Sequence, residues 1–141
     1  MKIKLFLIIF IAGFLSVNAQ SNPDSILGKW LDHTKNATVE IYKSEGKYYG
    51  KIILLKEPND KYGNPRKDRE NINSKLRHRK LLGLEVLSGL EFTNNNWVNG
   101  KIYSINRGRE TNCKLFLPKT NELQIDIETR FITKTIKWTR L

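Results

Sequence analysis

Four cationic or titratable side chains, Arg77, His78, Arg79 and Lys80, stand directly before a run of leucines in NSKLRHRKLLGLEVL, residues 73–87. Two closely spaced arginines can grip a carboxylate or phosphate through paired N–H donors, and leucines beside them can line an apolar cup. The chemistry on offer is recognition of an amphiphile with an acidic head. The same arginines can instead pair with Asp68, Glu70 or Glu85 and only fasten a loop. The residues by themselves leave both readings open.

Patterns for other chemistries are missing from the sequence. A structural metal site gathers His, Cys, Asp or Glu at set spacings; this chain has two histidines far apart, His33 and His78, and one cysteine, Cys113. Ser88 sits in EVLSGLE without the Gly-x-Ser-x-Gly elbow of a hydrolase. Neither a phosphate loop nor a dinucleotide fingerprint occurs. Asp126 and Glu128 alternate with the apolar side of their segment, so they should point to solvent and not face each other as glycoside cleavage requires. We therefore expect no enzyme activity, no cofactor and no metal.

Residues 1–20, MKIKLFLIIFIAGFLSVNAQ, combine Lys2 and Lys4 with an apolar stretch from Leu5 to Val17 and small residues at the end. That is the build of a secretory signal peptide, 1–19, cut after Ala19. The stretch is short for a spanning helix, which needs about 20 apolar residues, so a protein that does not span the membrane, periplasmic or extracellular, is expected. Losing Lys2 and Lys4 lowers the formal net charge from +11 to +9. Export separates such a basic chain from nucleic acid and makes anionic envelope components or anionic small ligands the partners to expect. With a single cysteine no internal disulfide can form, so residues 20–141 should make one domain held by its own core.

The elements that must position these residues follow from alternation. ATVEIYK (37–43) places Ala37, Val39 and Ile41 on one face, SEG (44–46) turns the chain, and KYYGKIILL (47–55) completes a hairpin. Residues 56–80 hold Pro58, Gly63, Pro65 and dense charge, predicting one long loop with a helical turn near 74–77. LLGLEVLSGLEF (81–92) predicts a buried strand broken near Ser88 and Gly89, with Leu82, Leu84 and Val86 entering the core. Four more segments follow: WVNGKIYSI (97–105), TNCKLFL (111–117), LQIDIETR (123–130) and FITKTIKWTRL (131–141). Cys113 shares a face with Leu115 and Leu117 and is expected to be a buried apolar group. Turn signals every 8 to 12 residues, without sustained helical periodicity, predict an all-β antiparallel barrel or sandwich.

GKW (28–30) on the first strand, with Trp138 and Arg140 on the last, resembles the lipocalin-like (calycin) barrels. In those a Gly-x-Trp motif closes the barrel and an arginine of the final strand covers the tryptophan. The resemblance gives Gly28, Trp30 and Arg140 the closure role. A closer likeness spans nearly the whole mature chain: ILGKW, VEIYKSEGKYYGKIILL, NSKLRHRKLLGLEVLSGL, WVNGKIY, CKLFL and KWTRL stand in the order of the family called domain of unknown function 2147, small exported bacterial proteins. It implies a single lipocalin-like barrel of about eight strands and no established activity. Two expectations of different class follow. In one, the barrel binds a small apolar or anionic amphipathic, lipid-like ligand, with Trp30, Tyr49, Tyr103 and Trp138 lining it and Arg77 and Arg79 at the rim. In the other, a filled barrel is a structural or interaction protein of the cell envelope that presents its basic loop to an anionic component.

Overall fold

Eight strands follow one another around a closed antiparallel barrel in the computed structural model, which describes residues 21–141. The expected signal peptide at 1–19 lies outside the described residues. The strands are β1 (Gly28–Leu31), β2 (Ala37–Ser44), β3 (Lys47–Leu55), β4 (Glu85–Thr93), β5 (Asn96–Ser104), β6 (Arg109–Lys119), β7 (Glu122–Glu128) and β8 (Thr133–Arg140). Each pairs with the next, and β8 returns to β1 through Trp30 opposite Arg140 and Leu31 opposite Thr139. No sheet edge is left open, which removes the hazard of strand addition by another chain.

Short turns set the register. Glu45 (φ 49°) with Gly46 (φ 77°), and Asn94 (φ 48°) with Asn95 (φ 63°), occupy the left-handed region in two-residue hairpins. That backbone twist matches the twist of paired strands, and Gly and Asn adopt it at least cost. Alternation then sends Trp30, Val39, Ile41, Tyr48, Ile52, Leu90, Trp97, Leu115, Leu123 and Ile125 into the barrel as a buried core.

Between β3 and β4 runs the long loop, residues 56–84, with a single 3-10 turn at Ser74–Leu76. Its end differs from the predicted strand over 81–92. The Leu81 N–H donates to Arg66 O and the Leu84 N–H to Leu81 O, so the chain is still turning there, and Gly83 has φ 86°. Leu81 and Leu84 are buried, but Leu82 is half exposed and does not enter the core. The expected break near Ser88 and Gly89 is a register shift between β3 and β4, with Gly89 at φ 67°.

Candidate ligand-binding site

The two ends of the barrel are built differently. Across one end lies the 3-10 helix Pro23–Ile26, which three inward aromatic side chains hold down. Trp30 Nε1 donates to Ile26 O at 2.9 Å, Trp97 Nε1 to Pro23 O at 3.0 Å, and the Tyr48 hydroxyl to Asp24 Oδ1 at 2.6 Å. Arg140 lies over the Trp30 ring, 4.2 Å from its centre, and donates to Ser25 O, Leu27 O and Thr120 O. A guanidinium on an indole face adds about 0.5 to 2 kcal/mol. Gly28 carries φ 121°, and an added Cβ would sit 3.4 Å from Arg140 Nη1. Gly28, Trp30 and Arg140 thus meet at the sealed end, where the last strand joins the first.

The other end opens into a cavity of about 770 Å³. Strands supply an apolar part of its wall, Val39, Ile52, Val86, Ile102, Ile136 and Trp138, and a polar part, Tyr103, Ser104, Thr111 and Lys134. Loops and turns add Asp32, His33, Glu57, Arg66 and Arg107. Asp32 is already engaged: Oδ1 accepts from the Asn36 and Ala37 N–H groups at 2.9 Å, and Oδ2 from Thr34 Oγ1 at 2.5 Å. Arg66, Arg107 and Lys134 join none of the ion pairs among the described residues. Glu57 joins none either, so the opening sets three cations and two carboxylates, Asp32 and Glu57, around a partly apolar cup. Trp138 is 4% exposed, and its Nε1–H has no acceptor among the described residues.

Beside this opening a buried carboxylate ties the long loop to the wall. Asp68 is wholly buried; Oδ1 accepts from the Tyr103 hydroxyl at 2.6 Å, and Oδ2 from Arg79 Nη2 and Asn71 Nδ2 at 2.8 Å each. Burial alone would raise the Asp68 carboxyl. The hydrogen bonds from Tyr103, Arg79 and Asn71, with the charge of Arg79, outweigh it and hold the group below its usual range. Burial first, and then the carboxylate beside it, push the Tyr103 phenol up to about 12.

Of the six residues expected to bind a ligand, Tyr103 and Trp138 line the cavity. Trp30 does not; it is fully buried at the sealed end. Nor does Tyr49, because on β3 it is Tyr48 that points inward, leaving Tyr49 outside and stacked on Tyr42 with ring centres 5.8 Å apart. Arg77 and Arg79 also lie off the cavity lining. Arg79 pairs with Asp68, and Arg77 Nε donates to Asn71 O at 2.8 Å, so both fasten the loop. The cations at the opening are instead Arg66, Arg107 and Lys134. Of these only Arg66 lies in a stretch that the sequence singles out.

Comparison with known proteins matches this architecture. The family model "Uncharacterized protein conserved in bacteria (DUF2147)" covers residues 28–140. The chain belongs to this family. Among solved structures, the family fold is similar to that of a Helicobacter pylori protein, HP1028, described as belonging to the lipocalin family. The identity is 24%, 82% of each chain is covered, and the TM-score is 0.70. No curated protein matches the chain at a significant level. The barrel is lipocalin-like.

Cys113 points into the core of this DUF2147 barrel, 2% exposed, and burial pushes its thiol up to about 12. Because the thiolate is the reactive form, native protein at pH 8 is expected to resist iodoacetamide for hours, whereas protein unfolded in urea alkylates within minutes. Mass spectrometry reads the difference, and rapid native labelling would contradict the burial.

Proposed function

We propose that this protein is an exported carrier that takes the apolar part of a small amphipathic molecule into the barrel and holds its acidic head at the mouth. The observation that carries the reading is the open cavity of about 770 Å³ with an apolar strand face and Arg66, Arg107 and Lys134 among the residues at its border. The volume falls in the range of small-molecule sites, roughly 300 to 1,000 Å³, which are mostly apolar with a few placed polar groups. The leader-like residues 1–19 support export.

The test is native mass spectrometry of the protein purified from its own envelope fraction, followed by organic extraction. A stoichiometric adduct lost on extraction is expected, and its mass names the ligand class. A bare polypeptide that takes up nothing from an envelope lipid extract would overturn the reading. A second measurement isolates the head group: the triple variant Arg66→Gln/Arg107→Gln/Lys134→Gln should bind dodecanoate at least about tenfold more weakly, since charge-assisted hydrogen bonds are the stronger class. Dodecanol binding should change little. Equal losses for both probes would remove the cations from the recognition.

A further inference from the structure

The long loop at the open end carries more unpaired cations than the turns at the sealed end. Near the sealed end Lys43 meets Asp24 at 2.9 Å, Lys47 meets Glu91 at 2.9 Å and Lys137 meets Glu122 at 3.2 Å. At the open end, residues 56–84 carry nine Lys and Arg against four Asp and Glu. Only Arg69 with Asp60 and Arg79 with Asp68 form ion pairs there among the described residues. Arg107, Arg130 and Lys134, at the two neighbouring turns, add three cations with no acidic partner among those residues. A surface of this kind carries a positive field at its opening.

The same rim exposes apolar side chains that the fold does not use. The β7–β8 turn projects Phe131, 86% exposed, and Ile132, 68% exposed. Ile132 and Lys134 border the cavity, which fixes this tip at the mouth. Ile72, 70% exposed, is brought to the same rim by its N–H, which donates to Gly108 O at 3.0 Å in the β5–β6 turn. Apolar side chains set among unpaired cations are the two signals that together hold a protein on an anionic bilayer: basic groups approach the phosphates, and apolar groups enter the boundary between headgroups and acyl chains.

We infer that the open mouth docks on an anionic lipid bilayer, with Phe131 and Ile132 inserted and the unpaired cations of residues 56–84, with Arg107, Arg130 and Lys134, facing the lipid phosphates. A second copy is the poorer occupant, because mouth against mouth sets cation against cation. An acidic polymer would satisfy the cations and leave Phe131 and Ile132 in water. Arg66, Arg107 and Lys134 are common to both readings, whereas Phe131, Ile132 and Arg130 belong to the docking surface alone, so the tip variant tests docking whether or not the cavity carries a cargo.

Co-sedimentation with phosphatidylcholine vesicles, with and without about 30% phosphatidylglycerol, tests it on the mature protein and on Phe131→Ser/Ile132→Ser. Wild type should bind only the anionic vesicles, and less strongly as salt rises to 0.15 M, where charges are screened within about 8 Å. The double variant should keep its melting temperature and partition at least about tenfold more weakly, since burying one apolar side chain changes a partition by that order. Absence of binding to anionic vesicles overturns the inference. So does equal partition of the two proteins, which would mark a purely electrostatic surface. A lipid-free wild-type dimer in sedimentation velocity that the tip variant dissolves would assign the rim to self-association and overturn it too. None of these outcomes touches the extraction experiment, so the carrier reading and the docking surface fail separately.

Discussion

Trp30→Ala is expected to lower the stability of the protein by about 3 to 5 kcal/mol, the usual cost of truncating a core tryptophan. Trp30 has no exposure at all, pairs with Val39 on one side and Arg140 on the other, and anchors the 3-10 helix through its indole N–H. Removing it leaves a void at the junction of β1 and β8 and strands the guanidinium that lay upon it. Arg140→Ala should cost less, about 2 to 3 kcal/mol, because the carbonyls of Ser25 and Leu27 lose a charged donor but the indole still fills its place. Arg77→Ala serves as the comparison: one bond to Asn71 O on a loop is worth about 1 kcal/mol or less. Urea unfolding followed by tryptophan fluorescence and circular dichroism measures all three. Equal shifts would show that the first and last strands are not closed by this pair.

Asp68→Ala should free the long loop from the barrel and cost about 3 kcal/mol. Three donors converge on one buried carboxylate, and removing a buried anion leaves its cation unpaired, an effect of about 3 to 5 kcal/mol when both are dry. Arg79 keeps about a third of its surface in water, which sets the expectation at the lower end. The loop is dense in Lys and Arg, so trypsin reports its release: wild type should survive a digestion that nicks the variant between residues 56 and 84. Survival of both proteins would mean that other contacts hold the loop. These include the close approach of Gly108 to Glu70, where a Cβ would collide with backbone.

The same cluster predicts a pH profile with two edges. The Asp68 carboxyl titrates below its ordinary value of 3.8 in the folded state, so its stabilising share is complete above about pH 3.8 and is lost as pH falls through the depressed folded value. Tyr103 lies on the other side. Its folded phenol is raised from 10.0 to about 12, so between those values the unfolded chain ionises first and the contribution is lost as pH rises. The stability difference between wild type and Asp68→Asn should be flat across the middle range and shrink at both extremes. A difference that grows on acidification would contradict the assignment.

Particular residues show what local pattern could and could not reveal. The strands were legible because period-2 alternation and Asn or Gly turns act over a few residues, and Trp30 with Arg140 was legible as a motif at two ends of one pattern. The phase of KYYG was not: Tyr48 and Tyr49 are equal candidates until Gly50, packed against Val39 and Leu87, settles which one points inward. Asp68 looks like any acid of a charged loop, and its burial depends on Tyr103, 35 positions away. Arg107 and Lys134 reach the cavity through the register of β5, β6 and β8, which no local spacing encodes. The leucine run misled for a related reason, since Leu82 lies on a turn set by Gly83 and not yet on a strand.

The pairing of β1 with β8 also sets a clock. Arg140 and its carbonyl acceptor on Leu27 are 113 positions apart, so the contact that completes the barrel is among the least local the chain can make. Closing a loop of that length carries the largest chain-entropy cost of any strand pairing here, whereas the other pairings join neighbours in sequence. Until β8 arrives, β1 and β7 each keep an unpaired edge, and Trp30 has no guanidinium over it. The barrel therefore cannot be finished strand by strand as the polypeptide lengthens. An unclosed stage, an open ribbon before a cup, is written into the order of its strands.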